Sequence, residues 1–491
     1  MADHLLGIDL GTSSVRAGIF DRNGVRKSLA SRTYPIDTPQ SGRAEQSPEL
    51  WWAAVCESIA ESLISAGIVG GEIAGVSFSG QMHGTVLLGR DGVPLIPAII
   101  WADSRSSREC GEIEDVLGHN RLEKILLNRP FAGTQAATLR WIQANDPDTW
   151  RATRRILIPK DYLRWRMCGL FNSEPSDASG TLLCDIGLRD WSKEILDALS
   201  IPVEWLPYIV NSDQYVGETR GLAEVCGLPD GIPVVMGGAD QPCTALGNGI
   251  IDEGTLMVTL GTGGQLFSVT KQPTAAPNLA LTTFCHLPVN RWYVMGATLA
   301  AGLALRWFRD TFADGTPYDG LVAEAAAVAP GSDGLMFHPY LSGRRSPVRD
   351  PESAGTFSGL RISHAKGHFV RAILEGVAFE LRDNLEIMRA MGLNHSRVLC
   401  SGGGSASDLW PSIIADVFNL PVTMPQFEER ACLGSALTAG IGAGIYRDWR
   451  EAAGIPDVSG SVIEPDKNRA AIYEERYAVF TSSRPAGDSH Q

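Results

Sequence analysis

The sequence predicts an α/β protein built from two related domains that face each other. Three observations carry this reading. The 491 residues suffice for two to four structural units at roughly 150 residues each. Short apolar strands alternate with segments of helical spacing, and the strands repeatedly end at small or polar residues, where α/β proteins collect ligands. A strand, a Leu-Gly-Thr turn and a second strand occur as LLGIDLGTSSVRAGIF. The pattern returns once, about 250 residues later, as LMVTLGTGGQLFSV.

The elements follow in order. Leu5, Leu6 and Ile8 form a strand ending at Asp9, and Gly11-Thr12-Ser13-Ser14 turns into a second strand through Val15, Ala17 and Ile19. Asn23-Gly24 marks a hairpin to a third strand. Residues 48–66 switch to helical spacing through Trp52, Val55, Ile59 and Leu63, with Ser47 as the expected cap and Pro48 in the first turn. Ile73 to Phe78 returns to strand and leads into Ser79-Gly80-Gln81-Met82-His83-Gly84. In the second cycle, Val234-Val235-Met236 leads to Gly237-Gly238-Ala239-Asp240-Gln241. Thr255 to Leu260 and Gln265 to Val269 then flank Gly261-Thr262-Gly263-Gly264. Apolar stripes over 368–389 and 409–418 predict helices, with Pro411 in the first turn or at a kink of the latter. The tail from Ser482 is polar and expected to fray.

Composition narrows the function. The 42 Lys and Arg against 56 Asp and Glu leave a net charge of −14. That charge gives no general attraction to DNA, RNA or anionic membrane. No apolar run reaches the length of a spanning helix, and the N-terminus lacks the basic and apolar blocks of a signal peptide, so the expected compartment is the cytoplasm. Nine cysteines without a CxxC pair read as reduced, packed thiols, Cys243 among them.

The chemistry-bearing residues cluster at strand ends. Turns rich in Gly and Thr aim backbone N–H groups and hydroxyls at phosphate oxygens, which points to phosphate binding at Thr12 and Ser13 and at Gly261-Thr262-Gly263. Asp9, at the end of the first strand, is placed to hold a water on Mg²⁺. Gly402-Gly403-Gly404, between a strand and a helix, is either a tight turn or a flat surface for a base or ribose, and matches neither a P-loop nor GxGxxG. Asp240 either caps a helix or takes the proton of a substrate hydroxyl during phosphoryl transfer. His83, between donors and glycines, could grip a polyol, and Asp103 alone reads as an ordinary surface acid.

Taken together, the chain resembles the FGGY family of carbohydrate kinases from Leu5 to about Ile445. The carboxyl-side signature of that family is similar to Gly355-Thr-Phe-Ser-Gly359-Leu360 followed, after residues 361–367, by His368-Phe-Val-Arg-Ala372-Ile-Leu-Glu375. Ser79–Gly84, Trp101-Ala-Asp103-Ser-Arg105, Leu157–Leu163, Gly237–Asp240 and Pro339-Tyr-Leu-Ser-Gly343 fall in the order of the members acting on ketopentoses. The resemblance implies two domains of the actin and hexokinase (ribonuclease H-like) type with an interdomain cleft. Residues 1–251 would carry the sugar and the catalytic base, 252–481 the nucleotide, and 482–491 a flexible tail. It implies ATP-dependent phosphorylation of a ketopentose at C5, with D-xylulose the leading candidate and ribulose, erythritol or glycerol the alternatives. An actin- or chaperone-like ATPase acting on a protein partner is the remote alternative.

Carried over to this chain, Asp240 is the catalytic base and shares Mg²⁺ with Asp9. Met82, His83, Gln241 and Asp103 contact the sugar. Thr12, Ser13, Gly261, Thr262 and Gly263 hold ATP phosphates, and Gly403 and Gly404 face the adenosine. Homodimers are common in the family, although no interface is named by the sequence. The chain departs from the ketopentose pattern at Gln241 (Asn there), Ala102 (Asn) and Arg344 (Glu), and from the family's amino-side signature at Thr138 (Lys).

Overall fold

The structure is a computed structural model that describes residues 3–426 and 429–484. Two seven-stranded sheets organise it. The first is formed by β1 (His4–Leu10), β2 (Ser14–Asp21), β3 (Arg26–Thr33), β4 (Ile73–Gly80), β5 (Tyr215–Glu218) and β6 (Pro233–Val235), in the spatial order β5-β6-β4-β1-β2-β3, with Gly238–Ala239 also pairing β4. The second comprises β7 (Thr255–Leu260), β8 (Gly264–Thr270), β9 (Thr282–Cys285), β10 (Trp292–Thr298), β11 (Arg397–Ser401), β12 (Val422–Pro425) and β13 (Gly460–Ile463), ordered β9-β10-β8-β7-β11-β12-β13.

The two sheets repeat one plan. β1 pairs antiparallel with β2 and parallel with β4. β7 pairs antiparallel with β8 and parallel with β11. The Leu-Gly-Thr segments lie at the same place in both, between the two antiparallel strands. This is the duplicated α/β architecture that the repeat implied.

The central strands are buried on both faces, and their apolar side chains supply the sheet cores. α1 (Pro48–Ala66) covers the first sheet, where Ser62 Oγ donates to the Ala17 carbonyl at 2.6 Å and Ser28 Oγ to that of Ser62 at 2.8 Å. Ser47 is extended but makes no side-chain capping bond; its carbonyl accepts from Leu50 and Trp51 instead. α2 (Asp240–Gly247) follows the first sheet. α3 (Lys366–Ala390) and α4 (Leu409–Phe418) pack on the second, with Pro411 inside the first turn of α4, where its missing N–H costs no helical bond.

α5 (Arg430–Gly442) returns to the first sheet although it follows strands of the second. Its Cys432, Leu433 and Ala436 share one apolar cluster with Leu5, Phe20, Cys243 and Leu246. The approach depends on glycine: a Cβ on Gly434 would lie 1.8 Å from the Cys243 carbonyl oxygen, and one on Gly7 would lie 2.0 Å from that of Cys432. α6 (Lys467–Ser482) closes the described chain, and the expected tail lies outside the described residues from 485 onward. All nine cysteines are unpaired and buried. Among the described residues no helix is long and apolar enough to cross a membrane.

Gly434→Ala forces α2 and α5 apart and should cost about 1–3 kcal/mol, the usual range for overpacking. Urea unfolding checks it, and an unchanged midpoint contradicts the close approach.

Candidate active site

The ends of β1 and β4 lie side by side, Leu10 opposite Gly80, and Gly238 and Ala239 pair with Ser79 and Gly80 at the same edge. The loops after these strands therefore open at one place. Gly237, at φ +83°, makes the bend that brings Asp240 there; a Cβ would lie 2.0 Å from the Phe78 carbonyl oxygen. A pocket of about 120 Å³ is lined by Thr12, Met82, His83, Trp101, Asp240 and Gln241 from the first half, with Gln265, Met295 and Arg345 from the second.

Asp240 opens α2, and its Oδ1 accepts the Gln241 backbone N–H at 2.7 Å. It is thus both the first residue of a helix and a side chain of the pocket. Burial first, and then the charge of Asp9, push its carboxyl up to about 7. Asp9 is buried on β1, accepts from Ser79 Oγ at 2.7 Å and lies 3.7 Å from Arg16. Burial raises its pKa too, outweighing the Ser79 bond and the Arg16 charge.

His83 is held at φ +73°. Its Nδ1 lies 2.6 Å from the Gly180 carbonyl, an obligate acceptor, so Nδ1 carries the proton. Burial lowers its pKa to about 4. The neutral ring leaves Nε2 as an acceptor for a hydroxyl. Met82 joins a cluster that spans both halves, receiving the Tyr293 hydroxyl on Sδ at 3.6 Å.

Thr12 Oγ1 accepts the Trp101 indole N–H at 2.9 Å, which fixes the turn, while Ser13 is exposed at its tip. In the second half, Gly261 and Thr262 line a cavity of about 540 Å³ with Gly403 and Gly404. Gly263 closes that turn through its carbonyl, which accepts from Gly261 N–H at 3.0 Å. A Cβ on Gly403 would meet nothing within 4 Å, so bare backbone faces open space there, whereas one on Gly404 would strike Leu260 and Trp410.

Asp103 is not among the pocket-lining residues. It is buried, forms an ion pair with Arg105 at 2.7 Å and accepts the Ala44 N–H at 2.7 Å. Its local sequence, Asp-Ser-Arg, already contained that partner. Of the four departing positions, only Gln241 lines the pocket. Arg344 instead stacks on Tyr340 at 4.7 Å.

Support from behind was not read from the sequence. Lys160, fully buried, lies 2.8 Å from Asp161, 3.3 Å from Glu174 and 3.6 Å from Asp177. Glu174 accepts from Ser176 Oγ, and Ser176 Oγ accepts the Ala239 N–H at 3.0 Å. The buried charges thus hold the backbone immediately before Asp240. The spacing of acids around Pro159-Lys160-Asp161 was the available signal.

The residues fit the groups a kinase needs. Among the described residues there is no cluster of three or more His, Cys, Asp or Glu that could hold a metal. Two carboxylates do suit Mg²⁺, which takes one or two protein ligands and completes its shell with water and phosphate oxygens. The repulsion that raises Asp240 is what such a cation relieves. The larger cavity, with its open glycine backbone, has the size of a small-ligand site.

Comparison with known proteins gives the family. The model of the N-terminal domain of the FGGY family of carbohydrate kinases matches residues 4–247, and that of its C-terminal domain matches 256–443. The chain belongs to the FGGY family of carbohydrate kinases. It is 38% identical over 483 residues to a xylulose kinase of Lactococcus lactis, covering 97% of this chain and 95% of that protein. It is 35% identical over 451 residues to a xylulose kinase of Bacillus subtilis, covering 92% and 90%. The crystal structure of a xyloylose kinase from Brucella ovis superposes with a TM-score of 0.92 at 33% identity over 98% of both chains. The fold is therefore that of the ribonuclease H, actin and hexokinase type, and family membership makes the protein an ATP-dependent carbohydrate kinase.

A carboxyl whose pKa is higher folded than unfolded withdraws stability as pH rises from the unfolded to the folded value. For Asp240 that window runs from 3.8 to about 7. Asp240→Asn should raise the melting temperature of the metal-free protein at pH 8 and leave it close to wild type at pH 4. Calorimetry across pH checks this, and an equal effect at both ends contradicts the buried, repelled carboxylate.

Proposed function

We propose that the protein transfers the γ-phosphoryl group of ATP to the C5 hydroxyl of D-xylulose, giving D-xylulose 5-phosphate. The observation that carries the reading is Asp240 in a pocket with neutral His83, backed by Asp9 and opening where a Gly-Thr turn ends. The ketose is suggested by the xylulose kinases to which the chain is similar.

In this reading the sugar lies in the small pocket. His83 Nε2 accepts a sugar hydroxyl, Gln241 offers an amide, and Met82 bounds the apolar face. Asp240 accepts a hydrogen bond from the attacking hydroxyl, aligns it, and takes its proton as the bond to phosphorus forms. An alcohol is too weak an acid to ionise beforehand, so Asp240 mainly orients and accepts late. Thr12 and Ser13 on one side, and Gly261, Thr262 and Gly263 on the other, direct N–H and hydroxyl groups at the phosphates. Gly403 and Gly404 offer backbone to the nucleoside. Magnesium held by Asp9 and Asp240, directly or through water, would offset the charge on the phosphate oxygens. Gln241 is the pocket residue that favours a different polyol, because its longer amide changes the reach to the sugar.

Mg-ATP-dependent ADP formation across D-xylulose, L-xylulose, the ribuloses, erythritol and glycerol tests the reading. D-xylulose should be turned over selectively, and Asp240→Asn should lower kcat by about 10²–10⁴-fold, the usual worth of a general base. Selective turnover of another polyol reassigns the substrate, and ADP formation indifferent to every sugar contradicts the proposal.

A further inference from the structure

The sugar pocket has a neighbour. A second cavity, of about 110 Å³, shares Met295 and Arg345 with it. Arg129 and Phe131 come to this cavity from the first half of the chain, Arg345, Ser346 and Arg349 from the second. No Asp or Glu lines it. Among the described residues none of the three arginines forms an ion pair.

What holds Arg345 and Arg349 in place is neutral. The Arg345 guanidinium rests 5.1 Å from the centre of the Phe131 ring, and the same ring meets His83 edge-on at 4.9 Å. Arg349 donates from Nη1 to the Pro130 carbonyl at 2.7 Å, across the two halves. Burial and the charge of Arg349 both disfavour the charged form of Arg345. Arg129 and Arg349 are exposed and Arg345 is half-buried, so three guanidinium groups converge, open to solvent, on one small space with no counter-charge in its lining. A neutral sugar cannot supply that charge.

Guanidinium forks match tetrahedral oxyanions with paired hydrogen bonds. Three of them suit a dianion better than a single carboxylate. We propose that Arg129, Arg345 and Arg349 form a subsite for a phosphate monoester dianion. A phosphorylated pentose seated there runs its carbon chain past Arg345 into the sugar pocket and excludes the sugar. Neither Thr12 nor Thr262 lines this cavity. Only the exclusion of substrate rests on the function proposed above.

The test is titration calorimetry without nucleotide or metal, using ribose 5-phosphate and inorganic phosphate as probes. Wild type is compared with Arg129→Gln and Arg349→Gln. Arg129 is exposed and, among the described residues, makes no hydrogen bond or ion pair, so its variant should fold as wild type does. Ribose 5-phosphate should bind wild type and bind each variant about tenfold more weakly, the loss of one charge-assisted contact. D-xylulose affinity should stay unchanged in Arg129→Gln. An equal loss for inorganic phosphate supports the subsite with free phosphate as its ligand; a loss confined to ribose 5-phosphate supports it with the carbon chain required. Binding that neither substitution weakens overturns the proposal, as does the absence of ribose 5-phosphate binding to wild type. Sugar turnover, measured separately, reports on the kinase reading and leaves this outcome independent of it.

Discussion

Two neighbouring carboxylates, Asp9 buried and Asp240 half-buried at the pocket, govern this molecule. Asp9 comes from the first strand and Asp240 from the start of a helix far along the chain, and the charge of one raises the pKa of the other. Folding has to hold them there against desolvation and repulsion. Much of the surrounding structure answers that demand. Ser79 and Arg16 favour the charged form of Asp9, and the Lys160 cluster reaches the backbone before Asp240 through Glu174 and Ser176. Gly237 bends where no side chain fits. Strain and repulsion concentrated at a functional site are tolerated because the rest of the structure over-determines the geometry.

The duplicated sheets explain how one plan yields two different pockets. Asp9 pairs with Ser79 in the first sheet, and Thr259 pairs with Ser401 at the corresponding place in the second. Only the first half has a carboxylate there. The loop after β4 presents Met82 and His83, whereas the loop after the equivalent β11 presents Gly403 and Gly404. Side chains with donors and acceptors suit a polyol, and bare backbone suits a flat nucleoside. In the proposed reading, the same position in the fold serves the sugar on one side and the nucleotide on the other.

The sequence was most legible where structure is local. The helix over 48–66, the hairpin strands and the strand from Thr255 to Leu260 follow from periodicity and turn chemistry, and the structure has them. Ser47 holds the cap position that the sequence offers, and it does so through its backbone carbonyl rather than its side chain. Asp103 reads alone as a surface acid and is brought to the sugar only by the family resemblance; in the structure it is buried and held by Arg105 two residues on. The return of α5 to the first sheet depends on contacts between residues hundreds of positions apart, with glycines whose need is visible only when two backbones meet. The arginine-lined cavity was hidden for the same reason, since Arg129 and Arg345 meet only across the two halves.

The most direct test of this account is the titration of the Asp240 carboxyl in the metal-free protein, followed by carbon-13 NMR with Asp240→Asn identifying the signal. The account predicts a midpoint near 7 that falls when Mg²⁺ and nucleotide are added, because the cation relieves the repulsion from Asp9. A midpoint near 4, the ordinary value for an aspartate, unmoved by Mg²⁺ and nucleotide, would contradict it.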